Sequence, residues 1–235
     1  KLRGIPVEMI RHNNLNMLED KIKQLTPTSN KIWYMADGVY SMFGDYAPME
    51  DLLHLSKRYS QLHLYFDDVH GMSWIGKNGT GYVLDSLQEL NENTILVGTL
   101  SKTFGASGAT LFCKDEKLRN KIKTFGGPLT FSAQLEPASV AAAIASADIH
   151  LSPEITLKQK DLADKIFYFN QLLSQKKLPI ISTNDSPVFF LGMGHTYNGL
   201  QLYATVIQRR FLFELRDISC CSHKKYWYTN HSIQS

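Results

Sequence analysis

The sequence predicts an α/β fold with a mostly parallel sheet, and three observations support this. Strand-like and helix-like runs alternate along the 235 residues, which favours layers of helices on a sheet. A hydrophobic content of 43% with 20% charged residues is typical of a chain that buries a core. Two polar motifs each follow a predicted strand, as expected where the carboxyl ends of parallel strands form a ligand crevice.

The first elements form a strand-helix-strand unit. Lys31–Ala36 has the composition of a buried strand. Pro48 can open a helix that reaches about Tyr59, because proline fits the first helical turn and the following leucines supply an apolar face. Leu62–Phe66 is the second predicted strand.

Two further strands follow, separated by a loop that holds a lysine and several glycines. They are Thr94–Gly98 and Ala109–Cys113. The alanine-rich run Ala133–Ala147 predicts a helix, and Pro153 can start a long helix that reaches towards Gln175. These elements complete the larger part of the predicted sheet domain.

The remaining sequence predicts a smaller α/β lobe and an irregular tail. Pro187–Leu191 has the composition of a strand and Leu200–Arg210 that of a helix, whereas neither period continues beyond Phe213. We therefore predict a partial large domain over 1–152, a partial small domain over 153–212 and an aberrant tail over 213–235.

Composition argues against several classes of protein. The formal net charge is only +3, with Lys and Arg spread along the chain, so nucleic acid is not an expected partner. No apolar run approaches the roughly 20 residues that a membrane helix needs. The three cysteines form neither a metal set nor an even disulfide framework, which predicts a cytoplasmic protein. The chain lacks an initiator methionine, and we expect it to begin within a longer protein.

The two polar motifs contain the chemistry-bearing residues. The first, Asp67–Gly71, reads Asp-Asp-Val-His-Gly, and the second, Gly98–Gly105, reads Gly-Thr-Leu-Ser-Lys-Thr-Phe-Gly. Asp68 and His70 could form a metal pair, but a third ligand at convincing spacing is missing, so no metal is predicted. Taken singly, the acid can cap a turn, the histidine can be structural and the lysine can be a surface residue. Together they predict a site at neighbouring strand ends.

These motifs also resemble those of a known family. With Gly38–Met42 before them and Phe131-Ser132 after them, they match in order the blocks of the α-oxoamine synthases, which include 8-amino-7-oxononanoate synthase and glycine C-acetyltransferase. The likeness runs from about His12 to about Gln208. It implies an aminotransferase-like fold of type I and pyridoxal 5'-phosphate as cofactor.

The resemblance also implies roles for individual residues. Lys102 would hold the cofactor through its amine and later remove a proton from the substrate. Asp67 would pair with the pyridinium nitrogen, His70 and Ser41 would lie near the phenolic oxygen, and Thr99 would hold the phosphate.

A hydroxyl near the later Phe-Ser block would reach the phosphate of a neighbouring subunit, which implies a homodimer. That hydroxyl belongs to Thr130 or Ser132. Local turn or cap bonding remains an equal alternative for both of them, and for Ser41 and Thr99.

The implied reaction condenses an amino acid with an acyl thioester, carried by coenzyme A or by a carrier protein. An aminotransferase of the same fold is an alternative, because Asp67 and Lys102 would serve both reactions. A non-catalytic remnant is a third hypothesis, since the ends depart from the family. The N-terminal part with its cofactor-stacking histidine is missing, Phe43 replaces an acid and Ser107 replaces a glycine.

The tail departs most, because the family's Phe-Pro-Ala-Val-Pro-like segment and its carboxylate-binding arginine are missing. Codons can be chosen for the run Asp217–His231 such that translation in the frame one base later gives a peptide that contains Thr-Phe-Pro-Ala-Val-Pro-Ile. We therefore hypothesise a frameshift near Phe213, and we expect weak or absent activity of this exact polypeptide.

Overall fold

The computed structural model describes residues 4–182, 185–194 and 196–209. The predicted tail over 213–235 and the hypothesised frameshift near Phe213 lie outside these residues. The end of the predicted helix at Arg210 lies outside them as well.

Four strands form one mixed sheet with the order β1-β2-β3-β4. They are β1 (Ile32–Asp37), β2 (Leu62–Asp67), β3 (Thr94–Thr99) and β4 (Ala109–Cys113). The first three are parallel, and β4 runs antiparallel to β3. The mostly parallel sheet is confirmed, and each of these strands lies within one residue of its predicted bounds. Asp37 pairs with Asp67 across β1 and β2, so these strands end level with each other.

Three helices cover one face of the sheet. They are α1 (Leu15–Leu25), α2 (Met49–Arg58) and α3 (Tyr82–Leu87). The Asn14 side chain caps α1 by accepting from Met17 N at 2.8 Å, and Pro48 precedes α2 as predicted. The core formed beneath the helices consists of Leu18, Ile22, Ala47, Met49, Leu52, Leu62, Leu64, Phe66, Val83 and Leu96. The opposite face of β1 exposes Trp33 and Met35.

The chain continues as a run of four helices. They are α4 (Glu116–Phe125), α5 (Gly127–Phe131), α6 (Pro137–Leu151) and α7 (Glu154–Gln175). The long helix predicted after Pro153 is confirmed. The predicted start of the preceding helix at Ala133 is wrong, because Pro137 occupies its first turn and holds Glu136 in an extended conformation. No helix in the described part of the chain is both long and apolar enough to span a bilayer.

The described residues divide into two compact units. One contains the chain up to Lys176 with Ser182–Phe190, and the other contains Lys177–Ile181 with the described residues from Leu191 onward. Helix α7 belongs to the first unit, and the domain boundary predicted before it stays a prediction.

The second unit contains α8 (Thr196–Gln208) and a single bridge between Ile180 and Leu191. The helix prediction is confirmed in its described part. The predicted strand Pro187–Leu191 is wrong: apart from the bridge at Leu191 it has no ladder partner, and its proline lacks a backbone donor.

Candidate functional site

The centre of the candidate site is a lysine-histidine pair at the carboxyl ends of two parallel strands. His70 follows β2 by three residues and Lys102 follows β3 by three. Lys102 Nζ lies 2.6 Å from His70 Nε2. The structure therefore brings these two predicted side chains into direct contact, although 32 residues separate them in sequence.

The surroundings of the His70 imidazole favour its neutral form. Partial burial lowers the pKa of His70, the positive charge of Lys102 lowers it further, and the Asp67 carboxylate opposes the shift. A neutral imidazole has one ring nitrogen that accepts. Lys102 Nζ can therefore donate a hydrogen bond to His70 Nε2.

Two carboxylates lie beside this pair. Asp67, the last residue of β2, accepts a hydrogen bond from Val69 N at 3.1 Å. Asp37 ends the neighbouring strand; burial raises the pKa of Asp37 and the Asp67 carboxylate raises it further, whereas Lys102 lowers it. Sequence reasoning missed Asp37, and the only available signal was its position directly before the Gly38–Met42 block.

Asp68 has a different role, because its carboxylate is buried among backbone groups. It is 1% exposed and accepts a hydrogen bond from Val83 N at 2.9 Å. Burial raises the pKa of Asp68 to about 7. A Cβ built on Gly38, Gly71 or Gly81 would lie within 2.3 Å of an Asp68 oxygen, which explains the three glycines. No group of three metal-ligating side chains occurs among the residues described.

Thr99 organises the loop that carries Lys102. The side chain of Thr99 is largely buried, and its Oγ1 lies 2.7 Å from Ser101 Oγ. The same oxygen accepts from Ser101 N at 3.0 Å and donates to Gly108 O at 3.3 Å. In this structure the Thr99 hydroxyl therefore fixes both ends of the Lys102 loop.

The other predicted site residues lie on exposed segments of the chain. Ser41 is exposed in the turn after β1, while Thr130 and Ser132 are exposed in and after α5. The Thr130 hydroxyl donates locally, to Gly126 O at 3.4 Å. No hydrogen bond identified within the described ranges joins these three to Lys102.

Comparisons with known proteins agree with this arrangement. The profile of the family described as aminotransferase class I and II matches residues 1–216. An 8-amino-7-oxononanoate synthase from Maricaulis maris is 33% identical over 183 residues, covering 77% of this chain and 45% of the relative. Serine palmitoyltransferase 2 from Dictyostelium discoideum is 28% identical over 200 residues, covering 80% of this chain and 40% of the relative. The chain thus spans less than half the length of these curated relatives.

Solved structures share the fold. A serine palmitoyltransferase from S. paucimobilis superposes with a TM-score of 0.78 at 22% identity, covering 87% of this chain and 52% of that protein. An 8-amino-7-oxononanoate synthase from Francisella tularensis gives a TM-score of 0.72 at 22% identity, covering 92% of this chain and 61% of that protein. Both likenesses place the sheet and its helices in the same fold class.

Proposed function

Because the chain belongs to the aminotransferase class I and II family, we propose that it is part of a pyridoxal-phosphate-dependent acyltransferase. The proposed reaction condenses an amino acid with an acyl thioester, carried by coenzyme A or by a carrier protein. The similarity to 8-amino-7-oxononanoate synthases and a serine palmitoyltransferase supports this choice. The observation that carries it is the contact between Lys102 Nζ and His70 Nε2 at 2.6 Å.

The residues at the strand ends suit the proposed cofactor. When bound, pyridoxal phosphate supplies an aldehyde that an amine can capture and a ring that accepts electrons from a breaking bond. Lys102 is the amine in position to capture the aldehyde. Asp67 can pair with the ring nitrogen, because its bond to Val69 N uses one of about four acceptor sites of a carboxylate.

Lys102 and His70 divide the proton chemistry between them. The His70 imidazole accepts one N–H from Lys102, which fixes the direction of the amine. Once the ammonium group has lost a proton, the lone pair of Lys102 Nζ is available to the substrate. Lys102 Nζ can then take the proton from the substrate Cα. His70 holds the amine in place during this transfer, while Thr99 keeps the loop that carries Lys102 closed.

A homodimer and a cytoplasmic location belong to the same proposal. Thr130 and Ser132 are both exposed, and the family pattern assigns one of them to the neighbouring subunit's cofactor. Three large apolar side chains beside them are exposed too, namely Phe125, Leu129 and Phe131. An exposed apolar patch of this kind favours contact with another protein surface.

A second candidate function is transfer of an amino group within the same family. Lys102 and Asp67 would serve both reactions equally, and the family description itself names aminotransferases. The second substrate separates the two functions. Consumption of an acyl-CoA supports acyl transfer, whereas consumption of a 2-oxo acid supports amino transfer.

Cofactor capture tests the proposal directly. Pyridoxal phosphate is added to the purified chain, and the visible absorbance is compared with that of Lys102→Ala and of Lys123→Ala, an exposed lysine on α4. We expect a visible band in the wild type and in Lys123→Ala that is lost in Lys102→Ala. Equal spectra for all three proteins would overturn the proposed function and leave the non-catalytic remnant.

A further inference from the structure

Ser73, three residues after His70, has an unusual backbone conformation. Its φ angle is +75°, in the left-handed region that a residue with a Cβ rarely adopts. Ser73 N donates to Gly79 O at 2.9 Å, and Ser73 O accepts from Gln159 Nε2 at 3.0 Å. Surrounding hydrogen bonds therefore hold Ser73 in a backbone conformation that is strained for a residue with a Cβ.

The Ser73 side chain joins two other polar groups. Its Oγ lies 2.7 Å from Thr103 Oγ1 and 2.8 Å from His150 Nε2. His150 is 8% exposed, and its other ring nitrogen, Nδ1, lies 2.7 Å from Ser146 O. A carbonyl oxygen only accepts, so Nδ1 carries the proton. The ring of Phe104 stacks on His150 with centroids 4.5 Å apart and planes 22° apart.

The contact between Ser73 and Thr103 links the chain segments that carry His70 and Lys102. Ser73 follows His70 by three residues, and Thr103 directly follows Lys102. The hydroxyl contact between Ser73 and Thr103 therefore ties together the two loops that meet at the Lys102–His70 bond. His150 belongs to α6 and links that contact to the helix through its bond to Ser73, while its bond to Ser146 O within α6 orients the ring.

We propose that Ser73 and His150 are positioning residues that act through Thr103 to hold Lys102 Nζ against His70. The consequence for cofactor capture rests on the proposed function, whereas the ordering of the loop does not. A hydroxyl carries one proton, so Ser73 donates to one of its two partners and accepts from the other. Removing Ser73 Oγ therefore breaks both contacts, whereas removing the Thr103 hydroxyl or the His150 ring leaves Ser73 with one partner.

Variants at three positions test the inference. Thr103→Val keeps the side-chain shape without the hydroxyl, and Thr103→Ser keeps the hydroxyl. Ser73→Gly removes Oγ and also relieves the positive φ, so it should not weaken the fold as a whole. His150→Gln retains a polar group that can reach Ser73 and serves as the conservative variant.

The first readout is amide hydrogen exchange of the chain without cofactor. We expect exchange in the loop from Thr99 to Gly108 to be about tenfold faster in Thr103→Val and Ser73→Gly, the factor expected for one lost hydrogen bond. Thr103→Ser should match the wild type, His150→Gln should lie between them, and β3 should exchange as before in every variant. Unchanged loop exchange, or equal acceleration throughout β3, would overturn the inference.

The second readout is the pH midpoint of the Lys102-dependent visible band after addition of pyridoxal phosphate. We expect the midpoint to shift in Thr103→Val and Ser73→Gly and to return towards the wild-type value in Thr103→Ser. A band whose midpoint is the same in all variants contradicts positioning of Lys102. If the wild type shows no Lys102-dependent band, the proposed function fails, and hydrogen exchange alone decides whether this network orders the loop.

Discussion

Two regions of the chain differ in how far they bury apolar side chains. The sheet region is residues 15–99 with α1–α3 and β1–β3, and the helical region is residues 116–175 with α4–α7. Phe66 in the sheet region is fully buried, whereas Phe125 and Phe131 in the helical region are 82% and 88% exposed. Of the 15 residues in α6, the one that is buried is a histidine, His150.

The difference shows that apolar composition alone does not decide burial. In the sheet region, strands in register and three amphipathic helices present their apolar faces to each other, so a continuous core forms. In the helical region, α6 contacts the site through polar bonds of His150, while its Val140 and Ile144 are exposed. We infer that the stability of the chain rests mainly on the sheet region.

Truncation of one phenylalanine in each region should give the largest contrast. Phe66→Ala removes a fully buried ring, and it should lower the free energy of unfolding by about 3–5 kcal/mol. Phe131→Ala removes an exposed ring, and it should change the free energy of unfolding by less than about 0.5 kcal/mol. Urea unfolding followed by circular dichroism measures both values. A larger loss in Phe131→Ala than in Phe66→Ala would reverse the comparison.

The buried carboxylate gives the sheet region an expected pH dependence. Burial raises the pKa of Asp68 from 3.8 to about 7, so the folded protein binds this proton more tightly than the unfolded chain does. The contribution of Asp68 to stability is therefore full below about pH 4 and is lost as the pH rises to about 7. A shift of about three units corresponds to up to about 4 kcal/mol.

Asp68→Asn removes this ionisation and isolates its effect. We expect the unfolding free energy of the variant, relative to wild type, to increase steadily between about pH 4 and pH 7. Phe131→Ala keeps Asp68 and should retain the wild-type trend. A constant difference between Asp68→Asn and wild type across this range would show that the Asp68 carboxyl does not titrate there.

The strands were predictable because each is a short apolar run followed by turn residues, and their order in the sheet follows the order in the chain. The predicted start of α6 was wrong because Pro137 occupies the first helical turn. The predicted strand at Pro187–Leu191 was wrong because local composition does not show which partner a segment pairs with. At the site, motif order indicated Lys102 and His70, and the structure brings them together. The bonds of Ser73 span 30 residues to Thr103 and 77 residues to His150, and no spacing rule reveals contacts of that range.

Variants at the N-terminal cap of α1 distinguish local stabilisation of this helix from stabilisation by its packing on the sheet. The Asn14 side chain accepts from Met17 N at 2.8 Å, so Asn14→Ala leaves that donor without its partner and should cost about 1 kcal/mol. Asn16 is exposed within the same helix, and Asn16→Ala should be neutral or slightly stabilising because alanine has the higher helix propensity. Thermal unfolding of the two variants measures the contrast. An Asn14→Ala variant that is as stable as wild type would show that α1 is held by its buried face, Leu18 and Ile22, and that the Asn14 cap adds nothing.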